Sequence, residues 1–409
     1  MPSTTFTEPL KYLRFNYANP SLYVLNHSPR IIKEFLFKPY IFGVSLFNMK
    51  TVILAGGFAT RLRPLTLTRP KPLLSLLGKP IIEYALSSLK KHGFTHVVLS
   101  LRNFSEMFIS RYIKQSTLDM KIDYILEEEP LGDGGPIALY KTTKGLDEDL
   151  LVINGDVYSE IDFSELLDFH KDKRALLTMV STKVENPQRY GVLEIDENWF
   201  LRRIIEKPDK PKSNLINAGI YIFSPDAIPN EVKRMSIARD IIPEILKKGK
   251  VAVYNYEGIW ADIGLPQDYV KLNFELLKKW YPEGYIANDA EIDKRVKMKP
   301  PYFISSKVKI KDNSVVGPFS ILEEGVKMGR FSIIESSIIM QNSIIGDASM
   351  IRNSILGSNC YIGSWCHIDR GVILGDGVLV SDKNVLIHDV IILPHKEINE
   401  SITERKVVL

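Results

Sequence analysis

Ile338-Ile339-Met340-Gln341-Asn342-Ser343-Ile344-Ile345-Gly346-Asp347-Ala348-Ser349-Met350 carries a large apolar residue at every sixth position. The frame opened by Ile338, Ile344 and Met350 continues through Leu356, Ile362, Ile368, Leu374 and Val380. Upstream, Ile304, Ile310, Val316, Leu322, Met328, Ile334 and Met340 keep the same interval in another frame. Gly, Asn, Asp and Ser, which favour tight turns, fill the gaps. No helix has a six-residue period, whereas a three-sided coil uses one short strand and one corner per hexapeptide. The pattern predicts a left-handed parallel β-helix of hexapeptide repeats over residues 290–409. Roughly 77 residues at about 18 per coil give about four coils, stacked about 4.8 Å apart. The change of frame near residue 338 predicts an altered corner. Open strand edges at the ends of such a stack favour assembly, so a homo-oligomer is expected. His367, His388 and His395 could serve an acyltransferase of this architecture, although a histidine alone specifies nothing.

Working back toward the N-terminus, the pattern becomes α/β. Thr51 to Leu54 is a short apolar run ending in Gly56-Gly57, which predicts a buried strand entering a tight loop. Strands are predicted again at His96 to Leu99, Ile122 to Leu126, Leu150 to Ile153 and Ala175 to Met179. Helices are predicted at Ile81 to Lys91, Phe104 to Ile113, Ile137 to Tyr140 and Phe163 to Asp172. This alternation implies a Rossmann-like, mostly parallel sheet over residues 49–289, with ligands at the carboxyl ends of its strands. Residues 1–48 hold ten aromatics and no secretory pattern. Over 30–47 they mix apolar and basic residues as an amphipathic surface helix would. A packed extension, or translated upstream sequence with Met49 as the true start, fits as well, so the segment is expected to be dispensable.

The composition agrees with an intracellular protein. The charge of +4, from 53 basic and 49 acidic residues, gives little ground for nucleic-acid binding. No stretch of 18 uncharged apolar residues predicts a membrane span. Two cysteines, Cys360 and Cys366, cannot form a disulfide framework, and a reducing cytoplasm is the simplest setting.

The chemistry concentrates in Leu54-Ala55-Gly56-Gly57-Phe58-Ala59-Thr60-Arg61-Leu62-Arg63-Pro64-Leu65 and Pro70-Lys71-Pro72-Leu73. A glycine turn after a buried strand lets backbone N–H groups approach anionic oxygens. Arg61, Arg63 and Lys71 then surround the same point with cationic donors, as phosphoryl chemistry requires. The loop is neither a Walker P-loop nor the Gly-x-Gly-x-x-Gly fingerprint.

This stretch resembles the signature of the sugar-phosphate nucleotidylyltransferases, and the likeness continues through the rest of the chain from Met49. Glu129-Pro130-Leu131-Gly132-Asp133-Gly134-Gly135-Pro136 resembles their nucleoside-binding loop, and Asn154-Gly155-Asp156 the loop bearing a metal aspartate. Tyr190-Gly191-Val192, Glu206-Lys207-Pro208 and Asn217-Ala218-Gly219-Ile220-Tyr221 resemble the sugar-phosphate pocket. Trp260-Ala261-Asp262-Ile263-Gly264 resembles the segment with a second metal aspartate. The resemblance implies Arg61, Lys71, Asp156, Lys207 and Asp262 as catalytic residues, with Asp156 and Asp262 holding Mg²⁺. It implies Leu54, Ala55, Gly56, Gly57, Glu129, Gly134 and Gly155 around the nucleotide. Gly191, Glu206, Lys207 and Asn217 would hold the sugar phosphate. The implied substrates are a nucleoside triphosphate and a hexose 1-phosphate.

Within the family the likeness is nearest to the mannose-1-phosphate guanylyltransferases, in Glu127-Glu128-Glu129-Pro130-Leu131-Gly132, the repeats and the ending Ile392-Leu393-Pro394-His395-Lys396. Pyrimidine-specific, broad-specificity and non-catalytic relatives remain alternatives. Three positions depart from the pattern: Ala59 for a glycine, Asp133 for a threonine and Gly134 for an alanine. A carboxylate at Asp133 would repel a triphosphate unless it turned away or met a cation. Because the implied catalytic residues all precede Leu265, removing the repeats is expected to cost stability more than chemistry.

Overall fold

A computed structural model describes residues 49–115 and 118–409; the amphipathic helix expected over 30–47 lies outside them. Among the described residues, a nine-stranded sheet forms the first domain. Its parallel part runs, in spatial order, Lys121–Leu126, His96–Leu101, Lys50–Leu54 and Leu150–Asn154. Val52, Ile53, Val152 and Ile153 are buried from both sides, as such a sheet demands. Beyond Leu150–Asn154 the sheet turns mixed, because the long strand Leu215–Phe223 enters antiparallel. It pairs antiparallel with Leu177–Lys183 and Gly191–Ile195. The helices Ile81–Lys91, Asn103–Gln115, Gly135–Lys144 and Phe163–Lys173 fall where the apolar spacing puts them. No helix among the described residues is long and apolar enough to cross a membrane.

The register decides where ligands can go. Leu54 is level with Asn154, so the two strands end together. The Gly155 N–H donates to the Leu54 carbonyl at 2.9 Å, and the Ala55 N–H to the Ser100 carbonyl at 2.9 Å. Both loops that follow open over one sheet edge.

From Tyr285 the chain winds into a left-handed parallel β-helix with three faces of eight, seven and six short strands. There are thus about seven coils rather than about four. The inward column begins before the motif that the sequence displays, at Ile292 and Met298, and continues after it through Leu386, Ile392 and Ile398. Charged neighbours mask both extensions.

The altered corner expected near residue 338 is present, and a second one follows it. Inward positions step from Ile334 to Ile339 and from Ile351 to Leu356, so two corners lose one residue each. Ile345 and Ile351 therefore point inward, while Ile344 is exposed. Ser336 and Asn353, both at φ 46°, make the two tightened corners. Buried serines tie successive coils together: Ser314, Ser332 and Ser349 donate to the carbonyls of Gly329, Gly346 and Gly363 at 2.7, 2.8 and 2.7 Å. Cys360 and Cys366 occupy equivalent columns, buried and unpaired, each thiol on a carbonyl at 3.2 Å.

One face of the coils is covered by the first domain. Phe303, Ile321, Ile338, Ile355 and Ile373 point outward yet are buried, against Leu62, Leu65, Leu74, Leu76 and Ile263 and the helix Pro266–Trp280. Burying such side chains contributes about 2 kcal/mol apiece. Polar groups sit inside this apolar junction. Thr68 Oγ1 donates to Asp376 Oδ2 at 2.7 Å, the Arg69 guanidinium pairs with the same carboxylate, and Arg69 Nη2 donates to Ser358 Oγ at 2.9 Å. Burial works against the Arg69 charge, but Asp376 outweighs it and holds the guanidinium pKa above its ordinary value. Glu323 is 1% exposed in the same junction, and burial pushes its carboxyl up to about 7 against the pull of Arg69. The back of the Leu62–Leu74 loop therefore rests on the coils. Distance along the chain concealed a direct contact between the repeats and the residues named for chemistry.

Candidate active site

A cavity of about 330 Å³ opens at the carboxyl ends of Lys50–Leu54 and Leu150–Asn154. Leu54, Ala55, Gly57, Arg61, Lys71, Gly155 and Asp156 line it, and Phe58 and Gly264 close its sides. Gly155 is small for a steric reason: a Cβ there would lie 2.7 Å from the Leu54 carbonyl oxygen and 3.3 Å from Ala55. Gly56 lies against Glu127, whose Oε1 accepts from Ser100 Oγ at 2.7 Å. Ala59 holds φ 47°, the left-handed conformation that explains the usual glycine; a Cβ there costs about 1 kcal/mol.

The two aspartates are brought together by a small antiparallel ribbon. Asp262 pairs with Val157, and the Ile263 N–H donates to the Asp156 carbonyl at 3.1 Å. Lys71 is buried, and its Nζ donates to Asp156 Oδ2 at 2.8 Å and sits 3.7 Å from Asp262 Oδ1. Burial, with Asp156 as a second negative charge beside it, raises the Asp262 carboxyl pKa above the ordinary range, against Lys71 and Arg61. Asp262 Oδ1 is buried without a hydrogen-bond partner among the described residues. Arg61 reaches the same place: a Cβ on Gly264 would lie 3.2 Å from Arg61 Nη2 and 3.4 Å from Asp262 Oδ2.

The residues named for the sugar phosphate lie beyond this cavity, along the next strands. Gly191 is in register with Glu206, and Lys207 Nζ is 3.7 Å from Glu206 Oε1. Asn217 Nδ2 donates to Tyr221 Oη at 2.6 Å, and its Oδ1 accepts the Gly219 N–H at 3.1 Å. Tyr190 joins the two regions. Its ring meets Trp260 edge-on at 5.5 Å, and the Trp260 indole N–H donates to the Ala218 carbonyl at 2.9 Å.

The loop Glu127–Gly135 behaves less simply. Glu129 is exposed. Gly134 is buried away from the cavity, its N–H donating to the Met235 carbonyl at 3.0 Å. Gly132, at φ 76°, passes so close that a Cβ would lie 2.3 Å from the Met235 oxygen. Asp133 Oδ1 accepts the Ile237 N–H at 2.9 Å, so this carboxylate caps the following helical turn. Burial raises its pKa despite that bond.

Two residues at the site escaped the sequence reading. Arg189 forks onto Asp268 at 2.9 and 2.5 Å and reaches within 3.3 Å of a Cβ placed on Gly264. It directly precedes the quoted Tyr190-Gly191, where a second cation was open to notice. Glu127 extends the inward alternation begun by Ile125, which distinguishes it from exposed Glu128 and Glu129.

A cavity lined by Arg61, Lys71 and Asp156, with Asp262 beside Lys71, has the charges of a phosphoryl-transfer site. The chain belongs to the nucleotidyl transferase family, whose profile matches residues 50–279; that of the GMPPB C-terminal domain matches residues 283–408. A Sulfolobus acidocaldarius protein named "Putative mannose-1-phosphate guanyltransferase" is 42% identical over 68% of this chain and 75% of its own. Mannose-1-phosphate guanylyltransferase 1 of Arabidopsis thaliana is 34% identical over 88% of this chain and 100% of its own. A solved "Putative Glucose-1-Phosphate Thymidylyltransferase" from Bacillus anthracis shares the fold, with TM-score 0.51 and 24% identity over 55% of this chain and 94% of that one. This chain is a sugar-1-phosphate nucleotidylyltransferase, joining a nucleoside triphosphate to a hexose 1-phosphate.

Proposed function

We propose that the triphosphate is GTP and the sugar mannose 1-phosphate, so that the product is GDP-mannose. The names of the relatives on both domains support this choice, as does Glu129, whose carboxylate can accept a guanine N–H. The observation that carries the mechanism is Lys71 Nζ held between Asp156 and Asp262 at the mouth of the Leu54–Leu62 loop.

In this mechanism an oxygen of the sugar 1-phosphate attacks the α-phosphorus of the triphosphate. The P–O bond to the β-phosphate breaks, and pyrophosphate leaves with that electron pair. The attacking phosphate is already anionic near neutral pH, so no general base is required. Backbone N–H groups of Gly56 and Gly57 face the triphosphate. Arg61 and Lys71 neutralise charge that builds on the α-phosphoryl oxygens. Lys207 holds the phosphate of the sugar phosphate, and Glu206 and Asn217 take sugar hydroxyls, which aligns the attacking oxygen. Asp156 and Asp262 fit a divalent cation such as Mg²⁺, which takes one or two carboxylates and completes its shell with substrate phosphates. The unpartnered Asp262 Oδ1 supports that fit. When bound, the ion would offset charge on the phosphates, in place of the present contact with Lys71.

A homo-oligomer is part of the proposal, supported by exposed Phe331, Ile344, Tyr361 and Trp365 on the uncovered coils. Sedimentation across a concentration series showing only a 46.6 kDa species would remove that part. Substrate choice is tested by pyrophosphate release from four triphosphates against glucose, mannose, galactose and N-acetylglucosamine 1-phosphates. The GTP and mannose 1-phosphate pair should give the highest kcat/KM, and preference for a pyrimidine triphosphate would overturn the assignment.

A further inference from the structure

The segment between Arg61 and Lys71 faces two ways. Lys71 turns into the cavity, where its ammonium meets Asp156 at 2.8 Å. Thr68 and Arg69, three and two residues earlier, turn to the opposite side and end on the coils. Asp376 is the focus there. Its Oδ2 takes both Thr68 Oγ1 and the Arg69 guanidinium, while Oδ1 accepts the Ser358 N–H at 2.8 Å. The carboxylate is thus fixed inside the β-helix by one oxygen and grips the loop with the other. Arg69 gains a second hold through Ser358 Oγ. Between grip and ammonium lie only Pro70, extended at φ −68° and ψ 148°, and the first residue of the turn Lys71–Leu73. Buried Leu62, Leu65 and Leu74 press the flanks of the loop onto the same face. Little slack remains between Asp376 and the Lys71 Cα.

We propose that Asp376 of the β-helix is a positioning residue for catalysis, acting through Thr68 and Arg69 to hold Lys71 at the reacting phosphate. On this account the repeats back the loop that lines the cavity, and a change in that support is felt at the ammonium of Lys71. A side chain that merely joins two domains would alter stability without reaching the chemical step. The proposal rests on the role given to Lys71 above.

A double-mutant cycle separates these cases. Pyrophosphate release is measured for the full chain, Asp376→Asn, Lys71→Ala and the double variant, with calorimetric binding of GTP where turnover is too slow to read. Asp376→Asn should lower kcat at least tenfold while changing the KM for the sugar phosphate less than twofold. In the Lys71→Ala background the same substitution should cost less than twofold, because the group it positions is gone. An equal loss in both backgrounds, or no loss in the full chain, overturns the proposal. Full activity of Lys71→Ala alone would instead remove the role of the lysine itself. Should Asp376→Asn not fold, Thr68→Val removes one donor from the same grip, and its smaller loss must vanish in the Lys71→Ala background by the same logic.

Discussion

Glu323→Gln should stabilise the protein much more at pH 8 than at pH 5. Glu323 is almost fully buried at the domain junction, and its Oε2 has no hydrogen-bond partner among the described residues. The titratable groups acting on it include Arg69, Asp376 and Tyr269. Burial dominates and pushes the carboxyl up to about 7 from an ordinary 4.5. A raised carboxyl pKa means that the folded state keeps a proton which the unfolded chain has lost. Stability from this group is therefore fully present below about pH 4.5 and falls as pH rises to about 7. At 1.36 kcal/mol per tenfold, that interval corresponds to on the order of 3 kcal/mol. Glutamine has no charge to desolvate and should show no such loss. The assay is denaturant unfolding of both proteins at pH 5 and pH 8, reading the difference between them so that other titrations cancel. A difference that stays constant between the two pH values would refute the reasoning, since a lost contact has no pH dependence of its own.

Asp156→Asn should reduce kcat at least a hundredfold in a folded protein, because it removes charge from the carboxylate that meets Lys71; unchanged turnover would reject its role. Asp133→Ala should lower stability by about 1 kcal/mol, the worth of a cap on a helical N–H, while KM for the triphosphate moves less than threefold. A tenfold fall in KM would show instead that this carboxylate faces the phosphates. Gly155→Ala should cost about 2 kcal/mol by overpacking against backbone that cannot yield, and activity should fall with it. A thermal midpoint equal to that of the parent would mean the strand ends can part without cost.

Much of this architecture could be read from periodicity. Strand and helix centres in the first domain matched because apolar runs and 3.6-residue spacing are local signals. The antiparallel entry of Leu215–Phe223 was not local, since it depends on pairing with strands already laid down. In the coils the six-residue interval was plain, but the inward column was misassigned between Ile334 and Leu356. Isoleucine stands at both Ile338 and Ile339, and again at Ile344 and Ile345, so composition alone could not tell the core side from the outer side. Ile338 is apolar for a different reason, the contact with the first domain. Lys71 and Asp156 were legible through their loops as candidates, and both line the cavity. Arg69 and Asp376 were not, because 307 residues separate two charges that each look solvated in sequence.

The docked face of the coils has a length as well as a chemistry. Phe303, Ile321, Ile338, Ile355 and Ile373 supply one outward side chain per coil, so five rungs at about 4.8 Å cover about 19 Å. The helix Pro266–Trp280 has 15 residues, about 22 Å at 1.5 Å per residue. Phe274 meets Phe319, and Tyr281, just past the end of the helix, meets Phe303. The coils thus act as a graduated ruler against which this helix is measured, with Asp376 as the mark that meets Arg69. One extra coil between Ile339 and Leu356 would carry that mark about 4.8 Å out of reach. A coil added after Ile398 would leave every contact with the first domain in place, so the stack is free to vary in length only at its far end.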